Sequence, residues 1–144
     1  WAIFQNAVQS CDGVERIYVH DAVYDSFLEK LKVAVEQLRV GRDTDFNVDI
    51  GCLTTASQHT TVTTHIKQAL DAGATLYATS DAPEGSGTFH PCVVLTDVNH
   101  SMQVMREETF GPVVGVMRYS SDEEAIALAN DSNLGLTASV WSAD

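Results

Sequence analysis

Cys11 is the first residue whose side chain could do chemistry. It lies in a polar stretch, NAVQSCDGVER, at positions 6–16. A thiolate is both a strong nucleophile and a good leaving group, which suits acyl transfer. The two other cysteines, Cys52 and Cys92, are far from it and no CxxC pair occurs, so we expect free thiols rather than a disulfide framework or a zinc site. A lone cysteine is more often an inert small hydrophobe, so Cys11 needs further evidence.

A second cluster of chemically versatile residues is EETFGP, at positions 107–112. Acidic, aromatic and chain-bending residues stand together there, directly before an apolar run. Neither helix capping nor core packing explains this cluster or the loop around Cys11. In α/β proteins, reactive groups often lie in such loops. Each cluster alone is a weak signal.

Other common site patterns are absent from the sequence. There is no GxSxG elbow, no P-loop and no GxGxxG after a strand, so no complete cofactor site is encoded. Asp122, Glu123 and Glu124 fall in the first turn of a predicted helix, where they complement the helix dipole. The histidines lack metal-ligand spacing, so we expect surface or loop residues and no metal site. They are His20, His59, His65, His90 and His100.

Charge and composition exclude several partners. The chain has 144 residues, of which 20 are acidic and 8 basic, for a net charge of −12. This charge repels phosphate backbones and anionic lipids, so neither nucleic acid nor a membrane is expected as a partner. No apolar run approaches the roughly 20 residues that cross a bilayer, and the first residues lack the basic region of a secretory signal. We expect a cytoplasmic protein.

The order of predicted elements is typical of an α/β fold. Apolar and capping patterns predict a mainly parallel sheet with helices on both faces, because parallel strands need long crossovers. The residues facing the core of the first full helix are predicted as Val23, Phe27, Leu31 and Val35, with Asp21 as its N-cap. Helices are predicted at 2–9 (the end of one), from Asp21 to about Leu38, from Thr55 to near Gly73 and from Ser121 to about Ala129. Strands are predicted at 16–20, 74–79, 91–95, 112–119 and 136–141.

The chain reads as one domain over residues 1–144, because no low-complexity linker divides it. Both ends look cut. Trp1 opens inside a helical pattern, and Asp144 follows directly after a predicted buried strand. We therefore expect a part of a larger protein.

Taken together, the two clusters resemble motifs of the aldehyde dehydrogenase superfamily, and the resemblance covers essentially the whole chain. The family's nucleophile loop, N-x-G-Q-x-C, is matched by Asn6, Gln9 and Cys11. Its E-E-x-F-G-P-V segment is present intact at positions 107–113. Glu108 follows Cys11 by 97 positions, which is similar to the family's usual separation. AND and the later GLTASVWS resemble a segment in the last third of the family's catalytic domain.

The resemblance implies a reaction and roles for particular residues. Cys11 would attack an aldehyde as a thiolate, pass hydride from the thiohemiacetal to the nicotinamide of NAD or NADP, and leave a thioester for water to hydrolyse. Glu108 would accept hydrogen bonds from the nicotinamide-side ribose, and Phe110 would help to position the nicotinamide. The backbone N–H of Cys11 would donate to the oxyanion, while Asn6 and Gln9 would hold the loop.

The resemblance also implies what this chain lacks. The cofactor-binding domain, the general base and the second oxyanion donor would lie elsewhere in the same polypeptide, which would form a homo-oligomer. This fragment alone is therefore expected to be inactive. Substrate choice and the preference for NAD or NADP would be set largely in those other parts.

Two departures from the family pattern leave alternatives open. Val8 stands where the motif has Gly, and a β-branched residue would strain the loop if that position needs a positive φ. Asp12 would disfavour the Cys11 thiolate if its carboxylate pointed at the sulfur. One alternative is thus a catalytically impaired binding or structural module. Another is a relative that passes the acyl group to coenzyme A or phosphate.

Overall fold

The computed structural model describes residues 3–85 and 87–143. Within this part of the chain, four strands form one sheet in the order β1-β4-β3-β2. The strands are β1 (Arg16–His20), β2 (Thr75–Thr79), β3 (Val93–Thr96) and β4 (Val113–Tyr119). The helices are α1 (Tyr24–Glu36), α2 (Ala56–Asp71) and α3 (Asp122–Asn130). Short 3-10 helices cover Gln5–Val8, Asp21–Val23 and Gln103–Met105.

The sheet is mainly parallel, as predicted. β4 pairs in parallel with both β1 and β3, and only the β2–β3 pair is antiparallel. The register aligns Arg16 with Gly115. Because β1 and β4 run side by side in the same direction, the segments that precede them reach the same edge of the sheet. The loop of Cys11 precedes β1 and residues 107–112 precede β4, so the topology brings the two clusters together.

The core is formed by β3, β4 and one face of each of the first two helices. Every residue of β3 is buried, as expected for a strand covered on both faces. α1 packs against β1 and β2, and α3 packs against β1 and β4. Burying one large aliphatic side chain contributes about 1.5–3 kcal/mol. The buried residues of α1 are Tyr24, Leu28, Leu31 and Val35, and those of α2 are Val62, His65, Ile66 and Ala69.

The start of α1 differs from the prediction. The 3-10 helix Asp21–Val23 precedes α1, so Asp21 is not its N-cap. Instead, the His20 Nδ1 accepts a hydrogen bond from the Ala22 N–H at 3.1 Å. Val23, predicted to face the core, is 53% exposed. Leu31 and Val35 are buried as predicted, whereas Tyr24 and Leu28 take the buried positions expected for Val23 and Phe27.

The other two helix starts were predicted correctly. The Thr55 Oγ1 accepts a hydrogen bond from the Gln58 N–H at 3.1 Å, and the Ser121 Oγ accepts one from the Glu124 N–H at 3.2 Å. Each side chain satisfies a backbone donor that has no partner inside its helix. Gly73, with φ +101°, follows the end of α2 in the left-handed conformation that glycine favours.

The predicted strand at 136–141 is wrong for this chain. No strand forms there, and Leu136, Val140 and Trp141 are 70%, 94% and 89% exposed. An apolar run needs a neighbouring strand to pair its backbone. None of the four strands of the described sheet provides one to this segment.

No helix within residues 3–85 and 87–143 has the length and apolarity to span a bilayer.

Candidate active site

Cys11 lies in a tight turn directly before β1. The Gly13 N–H donates to the Ser10 carbonyl at 3.0 Å, which closes the turn around Cys11 and leaves its side chain exposed. The Cys11 backbone N–H has no acceptor in the described part of the chain. The carboxylate of Asp12 accepts a hydrogen bond from the Ser10 hydroxyl. An accessible thiol therefore lies beside a free backbone donor.

The backbone that leads into this turn is left-handed, so in place of the α-helix end predicted at 2–9 there is only the short 3-10 turn Gln5–Val8. Asn6, Ala7 and Val8 have φ values of 52°, 53° and 59°. Phe4 is buried together with Ala7 and Val8, and this spacing is the same as on the buried face of an α-helix, which explains the error. Residue 2, the first of the predicted helix end, lies outside the described residues. Val8 therefore has the positive φ that strains a β-branched residue.

Gly13 makes room for the side chain of Val8. A Cβ on Gly13 would lie 2.6 Å from the Val8 Cγ1, far inside a normal contact. Val8 is only 1% exposed, so its isopropyl group fills space that a larger residue at position 13 would occupy. Burial of this side chain offsets part of the strain in its backbone.

Gln9 fixes the Cys11 loop to the neighbouring loop at 52–54. Its Nε2 donates to the Cys52 carbonyl and to the Asn6 carbonyl, both at 3.2 Å. Its Oε1 accepts from both the N–H and the hydroxyl of Thr54, each at 2.8 Å. The Asn6 Nδ2 donates to the Gln9 carbonyl at 3.2 Å. These contacts agree with the loop-holding role expected for Asn6 and Gln9.

The three cysteines have different surroundings. Cys11 and Cys52 are exposed, whereas Cys92 is fully buried beside β3. Burial raises the pKa of the Cys92 thiol to about 11, against a smaller opposing effect of Ser80. Cys92 is therefore a free thiol, as expected, and its burial makes it an unreactive packing residue.

The second cluster begins with two exposed glutamates, and its later residues are half-buried or buried. Glu108 is exposed and its carboxylate has no hydrogen-bond donor in residues 3–85 and 87–143, while Thr109 is 1% exposed. Phe110 is half-buried and has a φ of 49°, in the left-handed region. The segment thus offers a free carboxylate and an aromatic ring on a backbone that its surroundings must hold.

Glu15 supplies one part of that support, and sequence reasoning missed it. Its Oε2 accepts the Thr109 N–H at 3.0 Å and its Oε1 accepts the Phe110 N–H at 2.9 Å. Burial raises the pKa of Glu15, the nearby Glu108 carboxylate raises it further, and the two backbone donors oppose the rise. Its signal in the sequence is an acidic residue directly before a predicted strand, here β1.

Helix α2 holds the same segment from the other side. The Gln58 Nε2 donates to the Phe110 carbonyl at 3.1 Å and also to the Thr109 carbonyl. The His65 Nδ1 lies 3.0 Å from the Thr109 Oγ1, and its Nε2 lies 3.7 Å from a Glu107 carboxylate oxygen. Gln58 lies three residues after the N-cap Thr55, at the capping-box position, but its side chain binds this segment instead of its own helix.

His65 corrects the expectation of surface or loop residues because it is buried on α2, whereas His90 lies in a loop, as expected, and is buried there. His65 is 6% exposed and His90 is 8% exposed. His65 is buried because it pairs with Thr109, and burial lowers the pKa of His90. In the described part of the chain, no group of three histidine, cysteine or acidic side chains could hold a metal ion.

Gly111 allows α2 to approach this segment closely. A Cβ at position 111 would lie 2.0 Å from the Cγ2 of Val62, which is fully buried. Gly111 does not have a positive φ, so its role is to leave space. The FGP sequence is therefore matched to the face of α2 that carries Gln58, Val62 and His65.

Comparison with known proteins agrees with this arrangement. The model of the aldehyde dehydrogenase family matches residues 1–144. The chain is 44% identical to 4,4'-diapolycopene aldehyde oxidase of Methylomonas sp over 144 residues, all of this chain and 26% of that protein. It is 40% identical to the NADP(+) succinate-semialdehyde dehydrogenase GabD of Escherichia coli (strain K12), over 98% of this chain and 29% of that protein.

Solved structures give the same result. The chain superposes on an aldehyde dehydrogenase from Bacillus cereus, an E194S mutant, with a TM-score of 0.93 and 33% identity. The match covers 99% of this chain and 29% of that one, so the chain spans less than a third of the length of these relatives. The chain belongs to the aldehyde dehydrogenase family.

Proposed function

We propose that this chain is the thiol-bearing part of the catalytic domain of an NAD(P)-dependent aldehyde dehydrogenase, with Cys11 as the nucleophile. One observation carries the proposal. The exposed thiol before β1 and the free carboxylate of Glu108 before β4 lie at one sheet edge, and Glu15 joins the two segments. The cofactor-binding domain would be another part of the same polypeptide.

The chemistry begins at the Cys11 sulfur. Its thiolate would add to the aldehyde carbon, and the free Cys11 backbone N–H would donate to the oxygen that becomes negatively charged. A bound NAD or NADP supplies the hydride acceptor that allows this adduct to become a thioester. Water would then hydrolyse the thioester, releasing the carboxylic acid and restoring the thiol. The exposure of Cys11 suits both the addition and the hydrolysis.

Glu108 and Phe110 would position the cofactor. Both carboxylate oxygens of Glu108 are free of donors in the described residues, so they can accept the two hydroxyls of a ribose. Phe110 offers a ring that is only half-buried. Holding the reacting groups in one geometry lowers the barrier without further chemistry from these residues.

The family and the acidic composition support the rest of the proposal. The full-length protein would be a cytoplasmic homo-oligomer that oxidises an aldehyde with NAD or NADP. The named relatives act on different aldehydes, so no particular one is assigned.

A second candidate is a catalytically impaired family member that serves as a binding module. The observation favouring it is the backbone of Val8, which is left-handed at a position where the family's motif has glycine. Iodoacetamide labelling at neutral pH separates the two candidates. Faster labelling of Cys11 than of Cys52 supports an activated nucleophile, and equal or slower labelling supports the module.

The function is tested in the full-length protein with aldehydes and NAD or NADP. Cys11→Ser should abolish reduction of the cofactor, because an alcohol is a far weaker nucleophile at neutral pH. Cys52→Ser is the matched control, since Cys52 is also exposed and lies in the loop bonded to Gln9. Activity that survives Cys11→Ser would overturn the assignment of the nucleophile, and a wild-type protein inactive with every aldehyde and both cofactors would overturn the proposed function.

A further inference from the structure

The carboxylate of Glu15 is the direct link between the two halves of the candidate site. Each of its oxygens accepts one backbone N–H of the opposite segment, from Thr109 at 3.0 Å and from Phe110 at 2.9 Å. Its own backbone is anchored as well, because the Gly115 N–H of β4 donates to the Glu15 carbonyl at 3.3 Å. Glu15 therefore has a fixed main chain and a side chain with two defined partners.

The residue that Glu15 holds is in an unfavourable conformation. Phe110 has a φ of 49°, and a residue with a Cβ adopts the left-handed region only when its surroundings impose it. Gln58 binds the carbonyls of Thr109 and Phe110, while Glu15 binds their amides. Without Glu15, two backbone donors next to Glu108 would lose their acceptors and the left-handed turn would lose half of its support.

The Cys11 turn is held by different contacts. Gln9 bonds it to Cys52 and Thr54, and the bond between Gly13 and Ser10 closes it. None of these contacts involves the Glu15 side chain. Loss of that carboxylate should therefore disturb the segment around Glu108 while leaving the thiol turn in place.

We propose that Glu15 is a positioning residue that sets Glu108 and Phe110 in the orientation needed to bind the nicotinamide ribose beside Cys11. This inference rests on the proposed function. Glu15 touches neither of the groups that would react, and it acts through the backbone of Thr109 and Phe110. Its loss should therefore weaken cofactor binding more than it slows chemistry on the bound cofactor.

The test uses Glu15→Gln and Glu15→Ala in the full-length enzyme. Gln keeps one acceptor oxygen and Ala keeps none, so the KM for NAD or NADP should rise in the order wild type, Gln, Ala. We expect the KM to rise about three- to tenfold in Glu15→Gln. The complete loss of a hydrogen bond to a charged acceptor would raise the KM by more than this, but Gln retains one acceptor oxygen. The rate constant at saturating cofactor should change less. The matched control is Glu29→Gln, an exposed glutamate on α1.

Alkylation of Cys11 by iodoacetamide distinguishes positioning from general damage. In Glu15→Gln the alkylation rate should stay within about twofold of wild type, whereas a loss of fold would change it together with the KM. An unchanged KM in both variants would overturn the inference, as would a KM that rises only in parallel with altered Cys11 labelling. Failure of the proposed function is distinguishable, because the wild-type enzyme itself would then neither bind the cofactor nor oxidise aldehydes.

Discussion

Gly111→Ala should destabilise the protein through one steric clash. The new methyl carbon would lie 2.0 Å from the Val62 Cγ2, 3.3 Å from its Cβ and 3.4 Å from its Cγ1. Carbon atoms normally pack about 3.5–4.0 Å apart, so α2 or the segment at 107–112 must move by more than an ångström. Val62 is fully buried and has no open space to enter. Overpacking of this kind costs about 1–3 kcal/mol, and we expect the upper end of that range.

The clash can be isolated with a second substitution. Val62→Ala removes the two methyl groups that meet the new Cβ, and alone it should cost about 2 kcal/mol from lost burial and a small cavity. In the double variant, the methyl group introduced at position 111 occupies space that the Val62 side chain has left. The double variant should therefore be at least about 1.5 kcal/mol more stable than the sum of the single changes predicts.

The assay is the free energy of unfolding from guanidinium titration at 25 °C. Gly51→Ala is the control, because a Cβ at position 51 meets nothing within 4 Å and its φ is not positive. It should change the free energy of unfolding by less than about 0.5 kcal/mol. Gly111→Ala as mild as this control would refute the close-packing argument, as would additivity of the two changes at 62 and 111.

Three further predictions concern ionisable groups. Cys92, whose pKa burial raises to about 11, should resist alkylation at pH 8 until the protein is unfolded, whereas exposed Cys52 should react in the folded state; mass spectrometry of labelled peptides checks this. The hydrogen bonds of Arg39 lower the pKa of Asp49 to about 2, so Arg39→Gln should return the NMR titration midpoint of Asp49 towards its ordinary value of about 3.9. Burial raises the pKa of Glu15, so the folded protein binds the carboxyl proton more tightly than the unfolded chain does. Proton binding by Glu15 therefore stabilises the fold. This stabilisation is complete below the unfolded pKa of about 4.3 and is lost as pH rises through the folded pKa. The free energy of unfolding of wild type relative to Glu15→Gln should therefore fall with rising pH across that window, and a difference independent of pH would contradict the assignment.

The charge of Glu15 thus has opposite effects on stability and on the site. Ionised and partly buried, it lowers stability relative to its protonated form. The same ionised carboxylate offers both oxygens to the backbone of Thr109 and Phe110. When a functional site contains strained backbone or a buried charge, the contacts of the surrounding fold commonly stabilise it.

The features that could be predicted from sequence are those set by local chemistry. Thr55 and Ser121 cap their helices through contacts three residues away, so a short window contains the whole interaction. β3 and β4 were also predicted, because apolar runs between turn residues have few other interpretations. The mainly parallel sheet then followed from the helices between the strands.

The features that were missed depend on partners distant in sequence. The carboxylate of Glu15 meets residues 94 and 95 positions away, and only the pairing of β1 with β4 brings them together. The burial of His65 depends on Thr109 in the same way. The left-handed backbone at Asn6 and Val8 was missed for another reason, because its apolar spacing imitates a helix.

The most direct test of the central claim compares modification of Cys11 with remaining activity. The full-length enzyme is treated with iodoacetamide for increasing times, alkylation of Cys11 and Cys52 is quantified by peptide mapping, and aldehyde oxidation is measured on the same samples. If Cys11 is the nucleophile, the fraction of activity lost should equal the fraction of Cys11 alkylated and should not follow Cys52. Full activity in protein whose Cys11 is completely alkylated would contradict the account.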